Sequence, residues 1–170
     1  MTNFIPSISV DQVIDAVATY IALFTEAEII RGNVNRTPMP NGSFIALTEL
    51  RTKALNKPIE YYSDFTAVLN EHNKIDIRVD FYGWDLAETA RAIHSSFRTI
   101  WTVDKFPSNI VPLLCSEPKK INIINAEEQY EQRWYMEMSL QYNPDINVPQ
   151  DTFNTPGDTF VIPADVIYPA

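Results

Sequence analysis

Glycine is scarce in this chain: only four occur among 170 residues, at Gly32, Gly42, Gly83 and Gly157. Phosphate-cradling loops need closely spaced glycines so that backbone amides can approach an anion, and a nucleophile elbow of the G-x-S-x-G type needs two around one serine. Neither pattern is present, so the known nucleotide loops and the elbow type of nucleophile are unsupported. Cysteine is scarcer still. Cys115 stands alone between Leu114 and Ser116, which excludes an intrachain disulfide and reads as buried filler in a reducing compartment. Basic runs are missing as well. Thirteen Lys and Arg against 22 Asp and Glu give a formal net charge of -9 and a pI near 4.6, which disfavours sequence-wide binding to phosphate backbones. No stretch approaches the roughly 18 apolar residues of a membrane span. Residues 1–10 also lack the basic region and cleavage pattern of a signal peptide, so neither membrane insertion nor signal-dependent secretion is expected.

What is present is enough for one packed domain, since 45% hydrophobic and 12% aromatic residues supply a substantial core at this length. Ser9 with Gln12 forms a capping box, and Val10, Val13, Ile14, Val17, Ile21 and Phe24 recur at helical spacing, predicting a helix over residues 10–25. The segment RGNVNRTPMPNG from Arg31 to Gly42 has the composition of a loop. Ser43 to Leu50 suits a central strand, and Ile59 to Val68 a weaker one, because Pro58 precedes it and it has few β-branched residues. Lys74 to Tyr82 alternates sharply, with Ile75, Ile77, Val79 and Phe81 on one face and Asp76, Arg78, Asp80 and Tyr82 on the other. Gly83 should end that strand, and Asp85 with Glu88 repeats the capping pattern for a helix whose stripe is Leu86, Ala90, Ile93, Phe97 and Trp101. Residues 104–126, with three prolines, read as packed loop holding a short strand or turn. Arg133 to Tyr142 alternates again and is the longest clear strand, with Trp134, Met136, Met138, Leu140 and Tyr142 on its inner face.

The usual parts of an active site do not assemble from these residues. His72 and His94 are 22 positions apart with no ligand-spaced partner; the former reads as a solvated turn residue, the latter as the edge of a packed stripe. Glu127, Glu128 and Glu131 read as a solvated or ion-paired approach to the long strand rather than as an acid and base pair. Asp76 and Asp80 flank Arg78 on one strand face, read as an exposed face of alternating charge rather than as a ligand cluster. No catalytic residue, metal or cofactor is expected.

After Tyr142 the chain changes character, with Pro144, Pro149, Pro156, Pro163 and Pro169 among Asn, Asp and Thr. The expected organisation is therefore a domain of residues 1–146 and an extended arm of residues 147–170. Phe153, Phe160 and Ile162 are apolar anchors on that arm, which either straps a neighbouring molecule or folds back to add an edge strand through Phe160 to Ile162. In the loop before the first strand, Arg36 and Met39 are candidate partner contacts, a solvated turn being the competing reading.

The block PLLCSEPKKINIINAEEQYEQRWYMEMSLQYNP, from Pro112 to Pro144, resembles the phage neck-terminator family, related to the tail terminators of tailed phages. Its distinctive steps are Pro112 and Leu113, Ser116 to Pro118, Ile124 and Asn125, Gln129 to Trp134, and Ser139 to Pro144. NRTPMPNGSFIALTEL from Asn35 and IRVDFYGWDLAETA from Ile77 are similar to that family too, in the same order, so the likeness spans roughly residues 30–144. The resemblance implies an α+β fold, a mixed or mainly antiparallel sheet flanked by two amphipathic helices. It further implies a non-enzymatic virion protein, assembled in the bacterial cytoplasm as a homo-oligomer, a hexameric ring that terminates the tail and joins it to the head connector above the tail tube proteins. Duplex DNA would pass through without specific binding, an acidic wall being suited to that. Other readings are another connector or baseplate adaptor ring, or a small-ligand binding domain or enzyme.

Overall fold

The computed structural model describes residues 5–32, 40–63, 66–83, 85–124 and 130–149. The first helix, α1 (Val10–Ile21), starts as the sequence predicts: Gln12 N–H donates to Ser9 Oγ at 3.3 Å, and Ser9 N–H donates to Gln12 Oε1 at 2.8 Å. It ends earlier than residue 25, because Leu23 and Phe24 donate to Tyr20 and Ile21 in tighter turns. The periodic signal runs on because that turn still brings Phe24 edge-on to Tyr20, with ring centroids 5.4 Å apart.

A strand that periodicity does not reveal follows, β1 (Glu28–Arg31), four residues being too few to show alternation. It lies parallel to β2 (Phe44–Ala54), which outruns its expected end at Leu50 and carries a bulge between Glu49 and Arg51. The single weak strand expected over residues 59–68 is a hairpin, β3 (Ile59–Ser63) and β4 (Thr66–Asn70). The strand β5 (Asn73–Tyr82) is as the alternation predicts, and Gly83 ends it at φ 126°, which favours a residue without a Cβ.

The second helix, α2 (Leu86–Phe97), buries Leu86, Ala90, Ile93 and Phe97, but its expected capping box does not form. Asp85 has helical backbone angles, and its carboxylate accepts a hydrogen bond from Ser43 Oγ instead of capping. Trp101 is not part of that stripe; it belongs to a single turn, α3 (Ile100–Val103), and is partly exposed. Residues 104–126 are not mainly loop either. They contain β6 (Ile110–Cys115) and β7 (Lys119–Ile124), followed by β8 (Tyr130–Tyr142) and β9 (Asp145–Pro149). The expected arm boundary at residue 147 falls inside β9, and residues 150–170 lie outside the described residues.

The result is a mixed α+β fold around an open sheet ordered β1-β2-β5-β8-β6, with β7 also on β8 and only the β1 to β2 pair parallel. β6 and β7 share one side of β8, and Ser116 stitches the gap between them: its N–H donates to Glu137 O and its Oγ accepts from Glu137 N–H. β3, β4 and β9 form a second, three-stranded sheet. Its order repeats that of β2, β5 and β8, and the pairing register of β4 with β9 is that of β5 with β8. Asn70 faces Asp145 and Asn73 faces Tyr142, so no residue is gained or lost across the break. The small sheet is thus a wing that prolongs the main one. Its root is braced by Leu55 N–H on His72 O at 2.7 Å, and by Ser7, which bonds Asp145 through both its N–H and its hydroxyl at 2.8 Å.

The helices cover one face of the main sheet and make a single core with it. Ile45 and Leu47 from β2, Ile75, Ile77, Val79 and Phe81 from β5, and Met136, Met138 and Leu140 from β8 meet the buried stripes of α1 and α2 there. Each of these side chains contributes about 1.5 to 3 kcal/mol by leaving water. Tyr20 joins the helices: its hydroxyl lies 2.7 Å from Ser96 Oγ and 3.2 Å from Thr102 Oγ1, and its ring stands edge-on to Phe97.

Candidate functional site

Among the described residues, no helix lies on the other face of the main sheet. Strand alternation places Arg51 and Lys53 of β2, Lys74 and Arg78 of β5, Arg133 of β8 and Lys119 of β7 on that face, six of the chain's thirteen cations. No basic run in the sequence announces this grouping, because pairing brings together positions far apart in the chain.

Asp76 and Asp80 sit among these cations and are not the exposed residues that alternation suggests: they are 7% and 3% exposed. Asp76 accepts from Arg51 Nε at 2.6 Å, from Lys74 Nζ at 3.1 Å and from the Ser139 hydroxyl. Burial works against its ionisation, but those three hydrogen bonds outweigh it and hold the carboxyl down at about 2. Asp80 Oδ1 accepts from Arg78 Nε at 3.0 Å and from Arg133 at 2.9 Å.

The same guanidinium groups lie on aromatic rings. Arg133 covers Tyr82 at 4.6 Å, Tyr82 stacks on Phe44 at 4.3 Å, and Arg78 covers Tyr135 at 4.3 Å. Planar guanidinium suits this double use, donating in its plane while its face rests on a ring. Two buried carboxylates are thereby saturated by four cations, which leaves them acting as struts between strands rather than as general bases. The D-I-R-V-D alternation of β5 is the one sequence signal of this network; its partners on β2 and β8 carry none.

Among the described residues, no group of three or more His, Cys, Asp and Glu comes close enough to hold a metal ion. Cys115 is buried with its thiol 3.5 Å from Met136 Sδ, and burial pushes its pKa up to about 12, so it is an inert packing group at neutral pH. His94 is half-buried on α2, its Nδ1 without a hydrogen-bond partner, and His72 ends the wing hairpin with its N–H donated to Asn56 Oδ1. The candidate contact residues Arg36 and Met39, the arm anchors Phe153, Phe160 and Ile162, and the acids Glu127 and Glu128 all lie outside the described residues. Among the described residues, no helix is long and apolar enough to cross a membrane.

No curated protein matches the sequence. The family model described as phage neck terminator protein matches residues 11–164, almost the whole chain and including every described strand and helix after the first residue of α1. The match takes in the likeness carried by the block from Pro112 to Pro144 and extends it to both sides, so this chain belongs to the phage neck terminator protein family.

Proposed function

We propose that the chain is a ring-forming structural subunit of the virion neck that terminates the tail, joins it to the head connector and lets duplex DNA through without binding it. The family match over residues 11–164 carries this reading. Two physical features support it. The chain as a whole is acidic, at -9, which keeps passing DNA from adhering to a ring wall. Its remaining assets are exposed apolar side chains, the material of protein contacts.

A ring built this way is hexameric, with a head-to-tail contact whose rotation closes. Arg36 and Met39 on the loop before β2 reach a flanking ring in this scheme, and Phe153, Phe160 and Ile162 anchor the arm on a neighbour. Native mass spectrometry across a concentration series tests the ring: a shift from monomer to one closed species is expected, and a monomer at every concentration refutes it. Electron microscopy of virions labelled on this subunit tests the location. Label at the neck is expected, and label at the baseplate refutes it. The double variant Arg36→Ala with Met39→Ala should melt like the wild type yet join fewer tails to heads.

A further inference from the structure

Eleven of the thirteen large apolar side chains exposed among the described residues fall in two spans, residues 50–62 and 100–114. The first span centres on β3, the outer strand of the wing, where Ile59, Tyr61 and Tyr62 stand in water, Tyr62 at 64% exposure. The second is the edge of the main sheet, where Ile100 of α3 is 84% exposed and Val111, Leu113 and Leu114 of β6 are uncovered beside it. Among the described residues, nothing covers either group. Scattered apolar residues need no explanation, but two clusters holding nearly all of them do.

The topology sets these clusters facing opposite ways. Because the order β3-β4-β9 repeats β2-β5-β8, the free edge of β3 looks toward the β1 side of the molecule, while β6 closes the other side. Two different patches on opposite flanks are what a head-to-tail contact requires, whereas a twofold contact needs one patch that matches itself. Charge does not set the match: residues 50–62 carry Arg51, Lys53 and Lys57 against Glu60, and residues 100–114 carry Lys105 against Asp104, so the two patches are joined by their apolar side chains and their opposite placement.

We infer that a second copy of this chain is the occupant of both patches: β3 of one subunit seats its apolar side chains on the α3 and β6 edge of the next. The inference rests on the ring reading above and names the surfaces that close the ring. Side chains, not strand pairing, make the contact. Pro112 has no N–H to offer, and the register of β6 on β8 shifts between Pro112 and Leu114, so the edge presents a broken row of donors. That break also discourages uncontrolled strand addition. A standard interface uses about 20–30 residues on each side, so these apolar groups form its centre and the surrounding polar residues its rim.

Two single variants in the full chain test the assignment, Tyr61→Glu for the wing and Leu114→Glu for the edge. Both side chains are exposed, so each dilute subunit should melt like the wild type. Should either glutamate lower the melting temperature, Tyr61→Ala and Leu114→Ala replace them. Each variant alone should weaken self-assembly by roughly 100-fold or more, as loss of a central anchor does. A mixture of the two should stop at pairs, because the intact wing of the Leu114→Glu subunit still meets the intact edge of the Tyr61→Glu subunit and nothing can add further. Variants that assemble like an assembling wild type overturn the inference while leaving the ring standing, as does a mixture that stays monomeric. A wild type that never assembles overturns the ring itself, and the inference with it.

Discussion

Asp76 of β5 and Ser139 of β8 are directly opposite each other in the sheet, and the serine hydroxyl donates to the buried carboxylate. With Arg51 and Lys74 on the same group, the ionised form is favoured in the folded chain, and its pKa falls from 3.8 to about 2. A depressed carboxylate pKa contributes stability that is fully present above the unfolded value and is lost as pH falls through the folded one. Urea unfolding should therefore weaken between about pH 4 and about pH 2, with Asp76 responsible for on the order of 2 kcal/mol. Asp76→Asn should be less stable at neutral pH and flatter across that window; an unchanged slope would show that other carboxylates set the acid limit.

Met138 is wholly buried at the centre of the helix-covered face, opposite Ile77 and Cys115. A charge there has no partner within the apolar core, and an unpaired buried charge costs several kcal/mol, comparable with the whole stability of a domain. Met138→Asp should lose its cooperative melting transition. A soluble, sharply melting variant would contradict the placement of that face in the core.

The Tyr20 hydroxyl ties α1 to the end of α2 and to α3 through Ser96 and Thr102. Tyr20→Phe keeps the ring contacts with Phe24, Phe97 and Phe106 but leaves Thr102, fully buried, with one partner fewer. The expected loss in denaturant unfolding is about 1 to 2 kcal/mol. A neutral result would mean that Thr102, which also donates to Ser96 O, is satisfied without the tyrosine.

Ending the chain after Pro149 keeps β9 paired with β4, so the dilute subunit should melt close to the full-length value. Ending it after Pro144 strips the edge of β4 and removes the half-buried Ile146 and Val148, and the melting temperature should fall by several degrees. Equal melting of the two truncations would argue that the wing contributes nothing to the stability of the main sheet.

The elements that could be read from sequence are those whose signal is local. The box of Ser9 and Gln12 lies within one turn, and the alternations of β5 and β8 report a helix-covered face that stays apolar for whole strands. The resemblance over Pro112 to Pro144 located the family but did not reveal β6 and β7, since Pro112 and Pro118 argue locally for loop. An edge strand tolerates a proline whose missing N–H would face outward, and that tolerance is set by where the strand lies, not by its own residues. The burial of Asp76 and Asp80 was hidden for the same reason. Their cations are Arg51 and Arg133 as well as the adjacent Lys74 and Arg78, and cross-strand distance is invisible in a linear string. Asp85 misled because the capping pattern takes no account of a competing hydroxyl, here Ser43, more than forty positions earlier.

The unbroken register from Thr66 to Tyr82 against Arg133 to Pro149 has a mechanical meaning. Tension applied along the wing runs parallel to these strands and perpendicular to their hydrogen bonds, so it loads the ladder in shear. Bonds in shear share the force and yield together, whereas bonds pulled from one end open in turn like a zip. A joint that grips by its wing is thereby anchored to the full length of the sheet that carries the core.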